Sequence, residues 1–416
     1  MAIDSLKSTI DPPVEQLVAE FSRAWKEVPD TVGLGPPVDD AGHAIRESHL
    51  DHFLNQALEE LRHPPSTPDG YSFLEARMLI GLTQLGRSAF GLTPAQLEIL
   101  LQRGMPQSLV QFAQTARRHH AISDDEIFQA SRNVGVMNVL QLLLGQPCQL
   151  TPAVFAYSML YPYSDNYLDN PKIPAATKRE FNSRFGRRLV GENVAPANQH
   201  EKQIFALIDS IESEKDRDRM PQVYDSLLAI QRAQSKSLDL EGVKQPGRDD
   251  VLAITIEKGG TSVLADAYLV AENGLTPRQV RFIFGLGTFL QLVDDLQDLK
   301  QDRKSGNITL FCLAAKGAES LESLTNRAIA FGTFVMDYLD AFTATGIAPL
   351  KEVVRLSVPQ LMIGAANLNR DLFRSEYVRQ LESHFPFRFD YLEKVRATLK
   401  KQKVSLTTLL DFLALK

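Results

Sequence analysis

Hydrophobic positions recur with a spacing near 3.6 residues along almost the whole chain, and no segment alternates apolar and polar as a half-buried strand does. The pattern predicts helices over 13–28, 44–62, 72–90, 94–103, 106–119, 124–144 and 152–171. Further helices follow over 198–213, 218–238, 249–272, 277–306, 318–344, 349–368, 375–385, 388–400 and 405–415. Several starts carry their own signals: Thr93-Pro94, Thr151-Pro152 and Thr276-Pro277 pair a capping hydroxyl with proline at the first helical position, and Ser123 precedes Asp124, Asp125 and Glu126. The fold class is therefore all-α, without internal repeats or a composition break that forces a domain boundary.

The most apolar stretch, FIFGLGTFLQLV at 282–293, runs directly into acids at Asp294, Asp295, Asp298 and Asp302. At about 100° per residue these four fall within about 100° of one another, with Gln291 and Gly287 in the same sector. Like charges on one helix face, near the negative end of its dipole, each cost roughly 0.3 to 1 kcal/mol, so a cation is expected to offset them. A solvated acidic face would carry the same residues. The apolar run upstream favours instead a helix that leaves a core and presents its acids at a rim.

Composition adds exclusions. The 416 residues carry a net charge of -6, which argues against non-specific binding to nucleic acid or acidic lipid. Two distant cysteines, Cys148 and Cys312, offer no disulfide framework or metal-ligand spacing and suggest a reducing compartment. The N-terminus has no signal-peptide pattern, and the apolar run is too short to span a bilayer, so a cytoplasmic location without a membrane span is expected.

A second acidic helix end lies upstream. Tyr157, Tyr161, Asp165 and Asp169 recur every four residues, two aromatics below two carboxylates, although Pro162 is placed to kink that helix. A core stripe ending in surface acids would look alike. A basic segment follows with Lys172, Lys178, Arg179, Arg184, Arg187 and Arg188, suited to phosphate oxygens or to a solvated face. Lys258-Gly259-Gly260-Thr261 sits in mid-helix, where two glycines imply a kink, a π-bulge or close approach of a ligand. His49, His52, His119 and His120 lack a third ligand nearby and are assigned no chemistry.

Two carboxylate clusters, a basic segment and an isolated lysine together suit a polyphosphate held through Mg2+, which uses one or two carboxylates per ion and completes its shell with water and phosphate oxygens. No GxxxxGK[ST] loop is present, so ordinary nucleotide hydrolysis is not indicated.

Over roughly 157–310 the chain resembles the class I terpenoid synthase superfamily. GTFLQLVDDLQD is similar to the second aspartate-rich motif of trans-prenyl diphosphate synthases, with Gln291 at the family spacing. DRKSGNITL resembles the segment after it, KGGT at Lys258 the Lys-Thr-Gly region, and DNYLD at Asp165–Asp169 the first aspartate-rich motif. The resemblance implies an all-α bundle around a central apolar pocket, with three Mg2+ ions binding a substrate diphosphate. Asp165 and Asp169 would bind metal on one wall, and Asp294, Asp295, Asp298 and Asp302 on the other. Arg184, Arg187, Arg188, Lys258 and Lys304 would hold diphosphate. Tyr157 and Tyr161 would stabilise a carbocation, with Gln291 beside them in the catalytic set.

Departures from the family pattern narrow the choice. No Gly-Lys-Arg element for a second diphosphate is found, Gly86-Arg87 being a poor substitute, and Asn166 replaces an aspartate. A terpene synthase, a lyase of isoprenoid biosynthesis that acts on one linear prenyl diphosphate, is the reading this favours. A prenyl transferase, either head-to-head as in phytoene and squalene synthases or chain-elongating, remains an alternative. So does a non-catalytic prenyl-binding helical protein. The expected layout is an N-terminal helical region, 1–150, packed on the catalytic bundle, 151–416, with a homodimer left open. For both acidic ends to share one mouth their helices must run parallel, which in an up-down bundle needs an even number of steps; 175–190 is therefore expected as a mouth loop or short helix.

Overall fold

The computed structural model describes residues 9–63, 67–119, 122–170, 172–239 and 247–402. The expected helix 405–415 and His120 lie outside the described residues, as do the side chains of His119, Tyr161 and Asp169. Among the described residues the protein is all-helical, and no helix is long and apolar enough to cross a membrane.

In chain order the first helices are α1 (Val14–Glu27), α2 (Asp40–Arg62), α3 (Pro68–Phe90), α4 (Pro94–Leu101), α5 (Met105–His119) and α6 (Asp124–Leu143). Next come α7 (Pro152–Asp169), α8 (Ala175–Leu189), α9 (Gln199–Glu214), α10 (Pro221–Asp239), α11 (Arg248–Val270) and α12 (Pro277–Gln297). The last are α13 (Leu299–Ser305), α14 (Leu310–Ala315), α15 (Leu321–Val335), α16 (Ala348–Leu368), α17 (Ser375–Ser383) and α18 (Phe389–Lys401). The hydroxyls of Thr93, Ser123 and Thr276 close full capping boxes, and Thr151 caps α7, so these starts are set locally by side chains that satisfy orphan N–H groups.

The chain divides into two compact units. One comprises the chain up to Val32 together with Thr151–Thr343 and Ser357–Phe373; the other comprises Gly33–Leu150, Ala344–Leu356 and the chain from Arg374 on. Helix α1 thus belongs with α7–α15, while α17 and α18 belong with α2–α6. In the second unit Ala57, Leu74 and Met78 form one apolar cluster and Leu85, Ala89 and Phe387 another, and the half-exposed Arg388 clamps the buried Glu47 carboxylate.

The first unit is built around α12. Phe282, Ile283, Phe284, Phe289 and Leu292 have no accessible surface, so this helix is apolar nearly all round because it is buried nearly all round. Phe21 of α1 packs its ring 5.7 Å from Phe284 and 6.0 Å from Phe331. The mid-helix glycines of α11 do not mark a kink or a π-bulge: α11 is an uninterrupted α-helix, and Gly259 and Gly260 are where α12 comes closest. A Cβ on Gly260 would lie 2.5 Å from the Phe284 ring.

Some expected elements differ. Of the two forms expected for 175–190, a mouth loop or a short helix, the structure has a helix, Ala175–Leu189, and 318–344 passes from α15 into a 3-10 turn at Met336–Ala341. The expected helix 277–306 is interrupted at Asp298. There the buried Asn369 donates its side-chain amide to the carbonyls of Leu296, at 2.6 Å, and Gln297, at 3.2 Å, which the next helical turn would otherwise occupy. The four acids therefore do not share one continuous helix: Asp294 and Asp295 end α12, Asp298 is its exposed cap, and Asp302 lies on α13.

Candidate functional site

The acidic ends of α7 and α12 lie at the same end of the first unit. On α11, Gly260 meets Phe284, the Ile256 carbonyl accepts from Thr288 at 3.3 Å, and Gly259 meets Gln291, so α12 runs antiparallel to α11. Tyr157 donates its hydroxyl to the Ser262 carbonyl at 3.0 Å, while Asp165, two turns on, accepts from Gln234 of α10, two residues from the Lys236 that holds Glu257 of α11, so α7 is antiparallel to α11 as well. Helices α7 and α12 are therefore parallel. The extra helix α8 does not spoil this, because α8 and α9 advance in the same sense: Arg184 pairs with Glu201 in the first turn of α9, and Arg188 pairs with Asp209 and Glu212 further along it.

Between these helices lies a narrow cavity of about 40 Å3. Its apolar lining is Tyr157 and Leu160 from α7, Phe185 and Leu189 from α8, and Leu227 and Ile230 from α10. Its polar lining is Ser164, Asp165, Gln234, Lys258, Ser262 and Gln291. Four of the residues singled out from the sequence thus meet around one cavity, namely Tyr157, Asp165, Lys258 and Gln291, drawn from α7, α11 and α12. With its hydroxyl tied to α11, what Tyr157 contributes to the cavity is its ring.

Asp165 is 5% exposed and accepts a hydrogen bond from the Gln234 amide. Asp295 is 6% exposed, accepts from Gln291 Nε2 at 2.8 Å on one oxygen, and has no hydrogen-bond partner for its other, buried oxygen. Burial pushes the Asp295 carboxyl up to about 7; the Gln291 hydrogen bond opposes this, the charge of Asp302 adds to it, Lys258 opposes it and Asp294 adds to it. Lys258 is thus one cation whose charge acts on Asp295. Asp294, Asp295, Asp298 and Asp302 do not line the cavity themselves; Asp295 adjoins it through Gln291.

The basic residues are distributed differently from what the resemblance implies. Arg184 holds Glu201 through two nitrogens, Arg187 holds Glu192 at 2.6 Å, and Arg188 holds Glu212 and Asp209. None of the three lines the cavity. Their guanidinium groups join α8 to α9 and to the loop between them, and the diphosphate-holding role expected of them finds no support in this placement. Lys304 is exposed near the end of α13.

The buried Asp295 oxygen without a hydrogen-bond partner is a hard oxygen donor that could hold Mg2+, with the charges of Asp294 and Asp302 acting on it. No three His, Cys, Asp or Glu side chains among the described residues form a ready ligand set. An ion that takes most of its shell from water and phosphate oxygens does not need one.

Gln234 escaped the reading of the sequence. Its signal was present: Leu227, Ile230 and Gln234 follow one helical stripe, and a polar residue ending an apolar stripe marks a place where the core meets something polar. No family model, no curated protein and no solved structure matches the chain.

Proposed function

We propose that the first unit is a class I terpene synthase, which ionises one linear prenyl diphosphate and converts the carbocation to a terpene with release of diphosphate. The observation that supports this best is the joint lining of one cavity by Asp165, Lys258 and Gln291 at its polar side and by Tyr157, Leu160, Phe185, Leu189, Leu227 and Ile230 elsewhere. The polar lining has the chemistry of a diphosphate site and the apolar lining that of a hydrocarbon site, and at about 40 Å3 the cavity must widen to admit a prenyl chain.

Bound Mg2+ would supply Lewis-acid stabilisation of charge growing on the departing diphosphate. The chain's own residues supply the rest. Asp165 and the Asp294–Asp295 end of α12 would hold the metal, and Lys258 would neutralise a phosphate oxygen. The apolar lining would exclude water from the allylic cation, and the Tyr157 ring would attract it by cation–π contact.

The test is to incubate the protein with prenyl diphosphates of graded length and Mg2+, with and without isopentenyl diphosphate, and to analyse hydrocarbon and diphosphate products. Diphosphate release and a hydrocarbon product formed from a single substrate are expected, and Asp294→Ala or Asp165→Asn should abolish both while the helical fold persists. A longer prenyl diphosphate as product would replace the synthase reading with a chain-elongating one.

A non-catalytic prenyl-binding protein is the second reading, favoured by the engagement of Arg184, Arg187 and Arg188 with carboxylates, which leaves Asp165 and Lys258 as the charged residues lining the cavity. It expects ligand uptake without diphosphate release.

A further inference from the structure

Helix α10 is locked against α8 by a buried polar network. Gln231 donates from Nε2 to the Asn182 side-chain oxygen at 2.9 Å and to its carbonyl at 3.1 Å, the Asn182 amide donates to Ser235 Oγ, and that hydroxyl donates to the Gln231 carbonyl at 2.9 Å. Gly186 lets the two helices close to this distance, since a Cβ there would sit 3.2 Å from Gln231 Oε1. With Gln231 and Ser235 committed to α8, the rotation of α10 is fixed and Gln234, 9% exposed, is held toward α7, where its amide meets Asp165.

The same device appears on α12, where Gln291 donates to Asp295. Gln234 and Gln291 both line the cavity, and each hands a neutral donor to a buried carboxylate. A neutral donor fixes the orientation of a buried carboxylate without cancelling its charge, whereas an arginine in its place would neutralise the acid and compete with a cation.

We infer that Gln234 is a positioning residue for Asp165: through its amide it orients that carboxylate toward a divalent cation held with diphosphate. The inference rests on the proposed diphosphate site, and it assigns a role to α10 that the acidic motifs do not contain.

Mn2+ binding in the presence of inorganic pyrophosphate, followed by calorimetry, tests it. Gln234→Leu, close in volume but without a donor, is expected to weaken Mn2+ binding about tenfold or more, as loss of an outer-shell partner does. Gln234→Met should do the same, and thermal melts would show that both variants fold. In an Asp165→Asn background the Gln234→Leu change should add less than about twofold, because coupled residues are not additive. Unchanged affinity in Gln234→Leu, an equal loss in both backgrounds, or no Mn2+ uptake by the wild-type protein would overturn the inference. Should the cycle hold while wild-type protein releases no diphosphate from any prenyl substrate, the synthase reading falls and the role of Gln234 stands.

Discussion

Gly259 of α11 and Gly287 of α12 meet backbone to backbone: a Cβ on Gly259 would lie 2.5 Å from the Gly287 carbonyl oxygen, and a Cβ on Gly287 would strike the Gly259 carbonyl in turn. This contact brings the helix of Lys258 against the helix of Gln291 and Asp295. Glycine here permits the approach of two helices rather than a bend in either.

Overpacking at that crossing has a defined cost. Gly259→Ala and Gly287→Ala should each destabilise the protein by about 1 to 3 kcal/mol, because a carbonyl cannot move aside as a side-chain tip can. Gly135 in α6 has no heavy atom within 4 Å of its ideal Cβ, so Gly135→Ala should instead stabilise by about 0.5 to 1 kcal/mol. Urea melts of the three variants check both signs, and equal effects at all three positions would contradict the packing.

Asp295 makes the stability of the metal-free protein depend on pH. Its folded value is raised to about 7 from an ordinary 3.8, so the stability from holding its proton is full below about 3.8 and is lost as pH rises through about 7. Asp295→Asn removes that dependence and can still accept from Gln291. Relative to wild type, its melting temperature should therefore rise between pH 4 and 8, in chelator, with no further relative gain above that range.

Glu212 behaves in the opposite sense. The Arg188 hydrogen bond holds its carboxyl below the ordinary 4.5 against the effect of burial, and Arg217 adds to the lowering. The stability it contributes is present above about 4.5 and lost as pH falls through the folded value. Glu212→Gln should melt lower than wild type at pH 7, and the gap should close in melts taken down to pH 3.

Arg187 and Lys258 separate the two uses of positive charge. Arg187 is engaged by Glu192 and does not line the cavity, so Arg187→Ala should leave pyrophosphate affinity within about twofold. Lys258 lines the cavity, and Lys258→Ala should weaken pyrophosphate by about 10- to 100-fold, consistent with roughly 1.5 to 3 kcal/mol for a charged hydrogen bond. Fluorescence or calorimetric titration distinguishes them, and a larger loss for Arg187→Ala would restore the arginines to the site.

The sequence by itself determined the helical class, the capped starts at Thr93, Ser123, Thr151 and Thr276, and the apolar character of α12, because periodicity and capping act within a few residues. It also singled out Tyr157 and Asp165 by their four-residue spacing, Gln291 by its place in the acidic sector and Lys258 by the glycines beside it, patterns visible along one helix. It could not show that Asn369 interrupts α12 at Asp298, that Glu201, Glu192 and Glu212 take up the arginines, that Gly259 faces Gly287, or that Gln234 reaches Asp165. Each of those partners lies outside the helix whose residue it meets, on another helix or on a loop. A side chain's own helix fixes the face on which it lies, but only the packing of helices against one another decides which donor meets which acceptor.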